Sequence, residues 1–127
     1  MELDYIDNYN GLHENIVRLF DFNKAEAIQF RDLIQNVVIE QKQKLDLSQI
    51  DFINTEDYNL IFGLFKTDEG ILTKDYRTFF CILTLNGFKE MLRLLAPFCV
   101  KDTKAHQYLY DLDTPTDLLF APYATAI

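Results

Sequence analysis

The chain has one serine, two histidines, two cysteines, four glycines and three prolines in 127 residues, and each shortage removes a class of chemistry. The lone serine, Ser48, stands in Asp46-Leu47-Ser48-Gln49-Ile50, without the glycines of a nucleophile elbow, which argues against a serine hydrolase. Cys81 and Cys99 lie 18 residues apart, with neither a Cys-x-x-Cys spacing nor the density of a secreted disulfide scaffold. No basic residue adjoins either thiol in a way that would activate it, so inert, reduced cysteines are expected. His13-Glu14 begins like a zinc-binding His-Glu-x-x-His helix, but the second histidine position is Val17. The glycines, Gly11, Gly63, Gly70 and Gly87, are too far apart to build a phosphate-cradling loop.

Long hydrophobic runs are missing too. Nothing approaches the roughly 18 to 20 apolar residues of a membrane span, and Met1-Glu2-Leu3-Asp4 lacks the apolar core of a secretory signal. Glu2 does not fit N-myristoylation, and no cysteine lies near residue 127 for prenylation. The expectation is a soluble, cytoplasmic protein. Positive charge is scarce: the net charge is −8, with 12 acids against 5 bases in residues 1–63 and 8 against 7 in residues 64–127. That sign repels phosphate backbones and anionic lipids, so no nucleic-acid or membrane partner is expected, while a basic protein partner suits it.

What is present is apolar material. Hydrophobic residues make up 49% of the chain, with 11 Phe and 7 Tyr, enough for a core. No repeat, low-complexity tract or linker divides the sequence, which implies one domain over 1–127, with 1–14 as an acidic N-terminal arm. "NIVRLFDF" (15–22) fits a buried strand, although Leu12, Ile16, Leu19 and Phe20 also satisfy helical spacing. Asn23 and Glu26 then form a capping-box start, and Ala27, Phe30, Leu33, Ile34, Val37 and Val38 lie on one stripe of a helix reaching about Lys44. "SQIDFI" (48–53), "YNLIFGLFK" (58–66) and "YRTFFCILTL" (76–85) are β-branched and aromatic and fit an antiparallel meander, with Asp68-Glu69-Gly70 as a turn. Phe88, Met91, Leu92 and Leu95 predict a second helix, capped by Asn86 and ended by Pro97. "HQYLY" and "DLLFA" predict two last strands joined by "DLDTPT".

The resulting expectation is an α+β fold: a mostly antiparallel curved sheet of about six strands, β-α-β-β-β-α-β-β, with two helices packed on one face. Arg77, Phe79, Cys81, Leu83 and Leu85 should face those helices, leaving Tyr76 and Phe80 on the other side.

The stretch "YDLDTPTDLLF" (110–120) comes nearest to a metal motif, with Asp111, Asp113 and Asp117 at the first, third and seventh positions of a calcium loop. The fifth, sixth and twelfth positions are Pro115, Thr116 and Pro122, which cannot complete it, so a turn is favoured and neither metal nor cofactor is expected. Asp51, Glu56 and Asp57 could pair for glycoside chemistry, but so many acids produce such pairs by chance. His106 shares a strand face with Tyr108 and Tyr110, as a packed or interfacial histidine.

By subtraction, the functional candidates are aromatic. Tyr58, Phe62, Tyr76 and Phe80 on the second sheet face, with His106, Tyr108 and Tyr110, form the expected binding set. The leading expectation is a non-enzymatic protein-interaction module, for which an inhibitor or immunity-like role is one form and a homodimer another. The alternative is a binder of, or enzyme acting on, a small apolar or aromatic ligand held on that face.

Overall fold

The computed structural model describes residues 1–7, 14–111 and 116–123. Among these residues, eight strands and two α-helices form an α+β fold: β1 (Glu2–Ile6), β2 (Asn15–Phe20), α1 (Lys24–Leu33), β3 (Leu45–Asp46), β4 (Asn59–Leu64), β5 (Gly70–Thr73), β6 (Thr78–Leu83), α2 (Leu85–Leu95), β7 (Gln107–Tyr110) and β8 (Thr116–Ala121). The expected single six-stranded sheet is replaced by two four-stranded mixed sheets, ordered β1-β2-β8-β7 and β3-β4-β6-β5. In each, a central parallel pair, β2 with β8 or β4 with β6, is flanked by antiparallel outer strands.

This arrangement is an internal pseudo-two-fold. The order strand-strand-helix-strand-strand occurs twice, and each sheet takes two strands from each run. The helix caps and core residues keep the same spacing: Asn23 is followed by Ala27, Phe30 and Ile34, and Thr84 by Phe88, Met91 and Leu95. The central pairs match likewise, with Val17 opposite Leu118 and Leu19 opposite Phe120 in the first sheet, and Leu60 opposite Phe79 and Phe62 opposite Cys81 in the second. The shared property is burial and not residue identity, so the sequence shows no repeat.

The start of the first helix follows its local signals closely. The Asn23–Glu26 capping box forms, with Glu26 N–H donating to Asn23 Oδ1 at 2.9 Å and Asn23 N–H to Glu26 Oε1 at 3.2 Å. The helix widens into a π-helical segment, Ile34–Glu40, which buries Ile34, Val38 and Ile39. It stops earlier than Lys44, where Lys42 turns left-handed at φ 54° and Gln43 N–H closes onto the Val37 carbonyl at 3.0 Å. Residues 2–6, expected in an acidic arm, instead form a strand pairing with β2, because Leu3 alternates into the core.

Three other expectations change. Residues 48–53 are not a strand; Asp46 accepts from Ser48 N–H at 3.0 Å and opens a short 3₁₀ turn, Leu47–Gln49. The meander is broken because β5, not expected as a strand and beginning at Gly70 of the expected turn, forms the outer strand, and β6 lies parallel beside β4. The second helix forms, but its cap is Thr84, whose Oγ1 accepts from Gly87 N–H at 3.0 Å, in place of Asn86. Pro97 sits within a closing 3₁₀ turn, Ala96–Cys99.

One main core joins both sheets and both helices. Phe62 stands between Phe30 and Phe88, with ring centroids 6.0 Å from each, and Phe120 gathers Phe22, Phe30 and Phe98. The outer face of the first sheet carries a smaller buried cluster of Ile16, Leu119 and Ala121. Beside it, Arg18 is held in a two-pronged pair by Asp4, at 2.6 and 3.0 Å, and lies over the Phe20 ring. β2 and β8 therefore carry buried residues on both faces, with the charge of Arg18 met by Asp4.

Candidate functional site

The seven expected site residues do not share a face. Phe62 is core, because the parallel pairing of β4 with β6 puts Leu60 and Phe62 on the same side as Phe79 and Cys81. Phe80 does point away from the core, half-buried between Ile61 on β4 and Leu72 on β5. Tyr108 and Tyr110 belong to β7 in the other sheet and His106 precedes that strand; the expected shared face does not form, because a bulge between Tyr108 and Tyr110 leaves Tyr108 against the outer cluster and Tyr110 in the main core. Tyr58 and Tyr76 come together at a third place, where β4 and β6 begin.

That place is built by the turn between β5 and β6. Thr73 Oγ1 donates to the Thr78 carbonyl at 2.8 Å and accepts from Tyr76 N–H at 3.0 Å. Asp75 Oδ1 accepts from Thr78 N–H and Arg77 N–H, each at 3.0 Å, and these bonds hold its carboxyl below the usual carboxylate range. Asn59 N–H donates to the Arg77 carbonyl at 2.8 Å and ties the turn to β4. Within this clamp Tyr76 takes φ 57°, a left-handed conformation disfavoured for an aromatic residue, while its side chain stays 57% exposed.

Tyr76 has company. Its ring lies 6.0 Å from Tyr5 on β1, and Tyr5 lies 6.0 Å from Tyr58 and 4.9 Å from the buried Phe79. Burial, and then Asp7, Tyr76 and Tyr58, push the Tyr5 hydroxyl above its ordinary value. Beside these rings Asp57, Tyr58, Asp75, Tyr76 and Arg77 line a depression of about 450 Å³. Tyr5 was not among the sequence candidates; its alternation with Leu3 was the available signal, hidden by the acidity around it.

A second concavity, about 410 Å³, lies between α2 and β7. Its walls are Leu83, Asn86, Gly87, Glu90 and Leu94 on one side and residues 107–111, including Tyr108 and Tyr110, on the other, with Asp68 at the helix start. Asp68 Oδ1 accepts from Thr84 N–H at 2.7 Å. Gly87 allows this approach, since a Cβ there would stand 2.7 Å from Asp68 Oδ1 and 2.9 Å from Leu83 Cβ. His106 is exposed and edge-on to Tyr108 at 6.3 Å, and it is not among the lining residues.

The remaining chemical candidates resolve into structure. Burial pushes the Cys81 thiol far above its ordinary value and raises Cys99 as well, so neither favours a thiolate. Ser48 Oγ donates to Asp46 Oδ1 at 2.7 Å and completes the local turn. Asp117 lies within β8 and not in a turn; its carboxyl is pushed up to about 6 by burial, then by Asp111 and Glu14. Asp113, Pro115, His13 and Gly11 fall outside the described residues. Among the described residues no group of three or more His, Cys, Asp or Glu could hold a metal ion, and no helix is long and apolar enough to cross a membrane. Compared by sequence with known proteins, the chain matches no family model and no curated protein.

Proposed function

We propose that the protein is a non-enzymatic interaction module that binds a protein partner through the platform of Tyr5, Tyr58 and Tyr76. The observation that carries this reading is Tyr76, held at φ 57° by a hydrogen-bonded clamp with its ring largely in solvent. A left-handed aromatic costs roughly 1–2 kcal/mol, and monomer packing gains little from a ring that exposed. Tyrosine surrounded by Asp and Arg also has the composition of interface hot spots, since its rigid ring supplies contact area at low entropic cost. The open platform, and the position of His106 away from the cleft lining, favour a macromolecular partner over an enclosed apolar ligand.

Tyr76→Gly tests the proposal. Glycine relieves the left-handed strain while losing one ring contact, so the variant should melt within a few degrees of the parent. A protein captured by the parent should be lost by Tyr76→Gly and by Tyr58→Ser. Capture that survives both substitutions would remove the platform from the interface.

Self-association is a second reading, favoured by the row Ile61, Phe80 and Leu72 across the outer face of the second sheet, where Leu72 is 45% exposed. Light scattering across a concentration series distinguishes it, because a dimer through that face should dissociate on Phe80→Lys and not on Tyr76→Gly.

A further inference from the structure

We propose that the cleft between α2 and β7 is a second binding site, which takes a lysine or arginine side chain carried by the protein partner. This inference rests on the interaction reading above and concerns a different surface. The platform stands where β6 begins, whereas the cleft stands at its other end, beyond Leu83.

The charge of the cleft selects its occupant. Among the described residues its titratable lining is Asp68, Glu90, Asp111 and two tyrosines, with no Lys, Arg or His. Arg93 engages Glu90 from the same helix, and Asp68 holds the first N–H of the α2 cap. Asp111 is exposed at the end of β7. Asp111 has acidic company there: after burial, Asp111 and then Glu14 add to the rise of the Asp117 carboxyl to about 6. A cation entering from solvent is attracted there, and the net charge of −8 steers it.

The remaining lining fits the rest of such a side chain. Leu83, Leu94 and Leu109 offer apolar surface to the methylene stem, and Glu90 and Asp111 stand on the two sides of the cleft for the charged head. At about 410 Å³ the volume lies near the lower end of ligand pockets, so it suits one side chain and not a folded element.

The probe is the peptide acetyl-Gly-Arg-Gly-amide, titrated into ¹⁵N-labelled protein and followed by NMR, beside a citrulline peptide of the same shape without charge. The expected result is saturable shifts at Gly87, Leu109 and Asp111 with the arginine peptide alone. Affinity should fall about tenfold in the Asp111→Asn, Glu90→Gln double variant, as expected for losing charged hydrogen-bond partners. Asp51→Asn, an acid removed elsewhere, should leave it unchanged. If the double variant melts early, Asp111→Asn alone makes the comparison. Equal binding by the citrulline peptide, shifts spread over other acidic surfaces, or no saturable shift would each overturn the proposal. Tyr76→Gly should bind the peptide like the parent, so loss of partner capture without loss of peptide binding separates the two sites.

Discussion

Asp117 illustrates how little a residue's own neighbours in sequence say about its chemistry. The motif "DLDTPTD" points to a turn or a calcium ligand, whereas the carboxylate sits on a strand and is raised toward 6 by burial and by Asp111 and Glu14. Folded, the group keeps its proton up to about pH 6; unfolded, it releases it near 3.8. Between those values the folded state binds more protons, so its stability rises as the pH falls from above 6 toward 4. Asp117→Asn removes the ionised form and should raise the melting temperature at pH 7.5, with the gain shrinking to nothing near pH 4. Thermal melts at the two pH values check this; a gain that persists unchanged at pH 4 would show that the carboxylate's charge is not its cause. Tyr76 repeats the lesson at the platform: its residue type was legible, but its left-handed backbone is imposed by Thr73 and Asp75 and by the tie from Asn59.

Among the elements, the two helices show what local chemistry can and cannot locate. The first begins at Asn23 as the capping box requires. The second was placed correctly by its period, yet its cap lies two residues before Asn86, because Thr84 stands at the end of β6 where Asp68 can reach its N–H. Thr84→Ala should therefore cost about 1 kcal/mol, and Asn86→Ala, on an exposed position, much less. Gly87→Ala should cost roughly 1–3 kcal/mol through overpacking, since its Cβ would force Asp68 or Leu83 aside. Denaturant melts of the three variants rank these effects, and an Asn86→Ala loss exceeding that of Thr84→Ala would contradict the observed cap. The strands were harder: β5 was missed because it begins inside a turn signal, at Gly70, and has only four residues, and β3, two residues long, has no periodicity to read.

For the whole molecule, the exchange of strands between halves decides which aromatic residues are core. Phe79 enters the core shared by both sheets, while Phe80 lies outward across from Ile61 and Leu72. Phe79→Ser should cost about 3–5 kcal/mol and abolish soluble folding; Phe80→Lys should retain a cooperative melt. Circular dichroism melts of the pair check this, and similar losses from both would mean that the outer face of the second sheet is buried as deeply as the inner one. Phe62 follows the same logic: a meander would have allowed its ring outward, but parallel pairing of β4 with β6 fixes it between Phe30 and Phe88.

The sequence by itself determined the α+β composition, both helices and their buried stripes, and the strands β4, β6, β7 and β8, because each rests on periodicity, capping chemistry or a short apolar run within one stretch of chain, while β2 also fitted helical spacing and was decided by its pairing with β1 and β8. It also carried the acidity of the surface and the aromatic character of the candidate residues. Only the tertiary structure decided that there are two sheets, that their central pairs are parallel, and that Tyr5 joins Tyr58 and Tyr76. Strand partners and register depend on contacts between distant segments, and a parallel pair leaves no turn between its strands to announce itself in the chain.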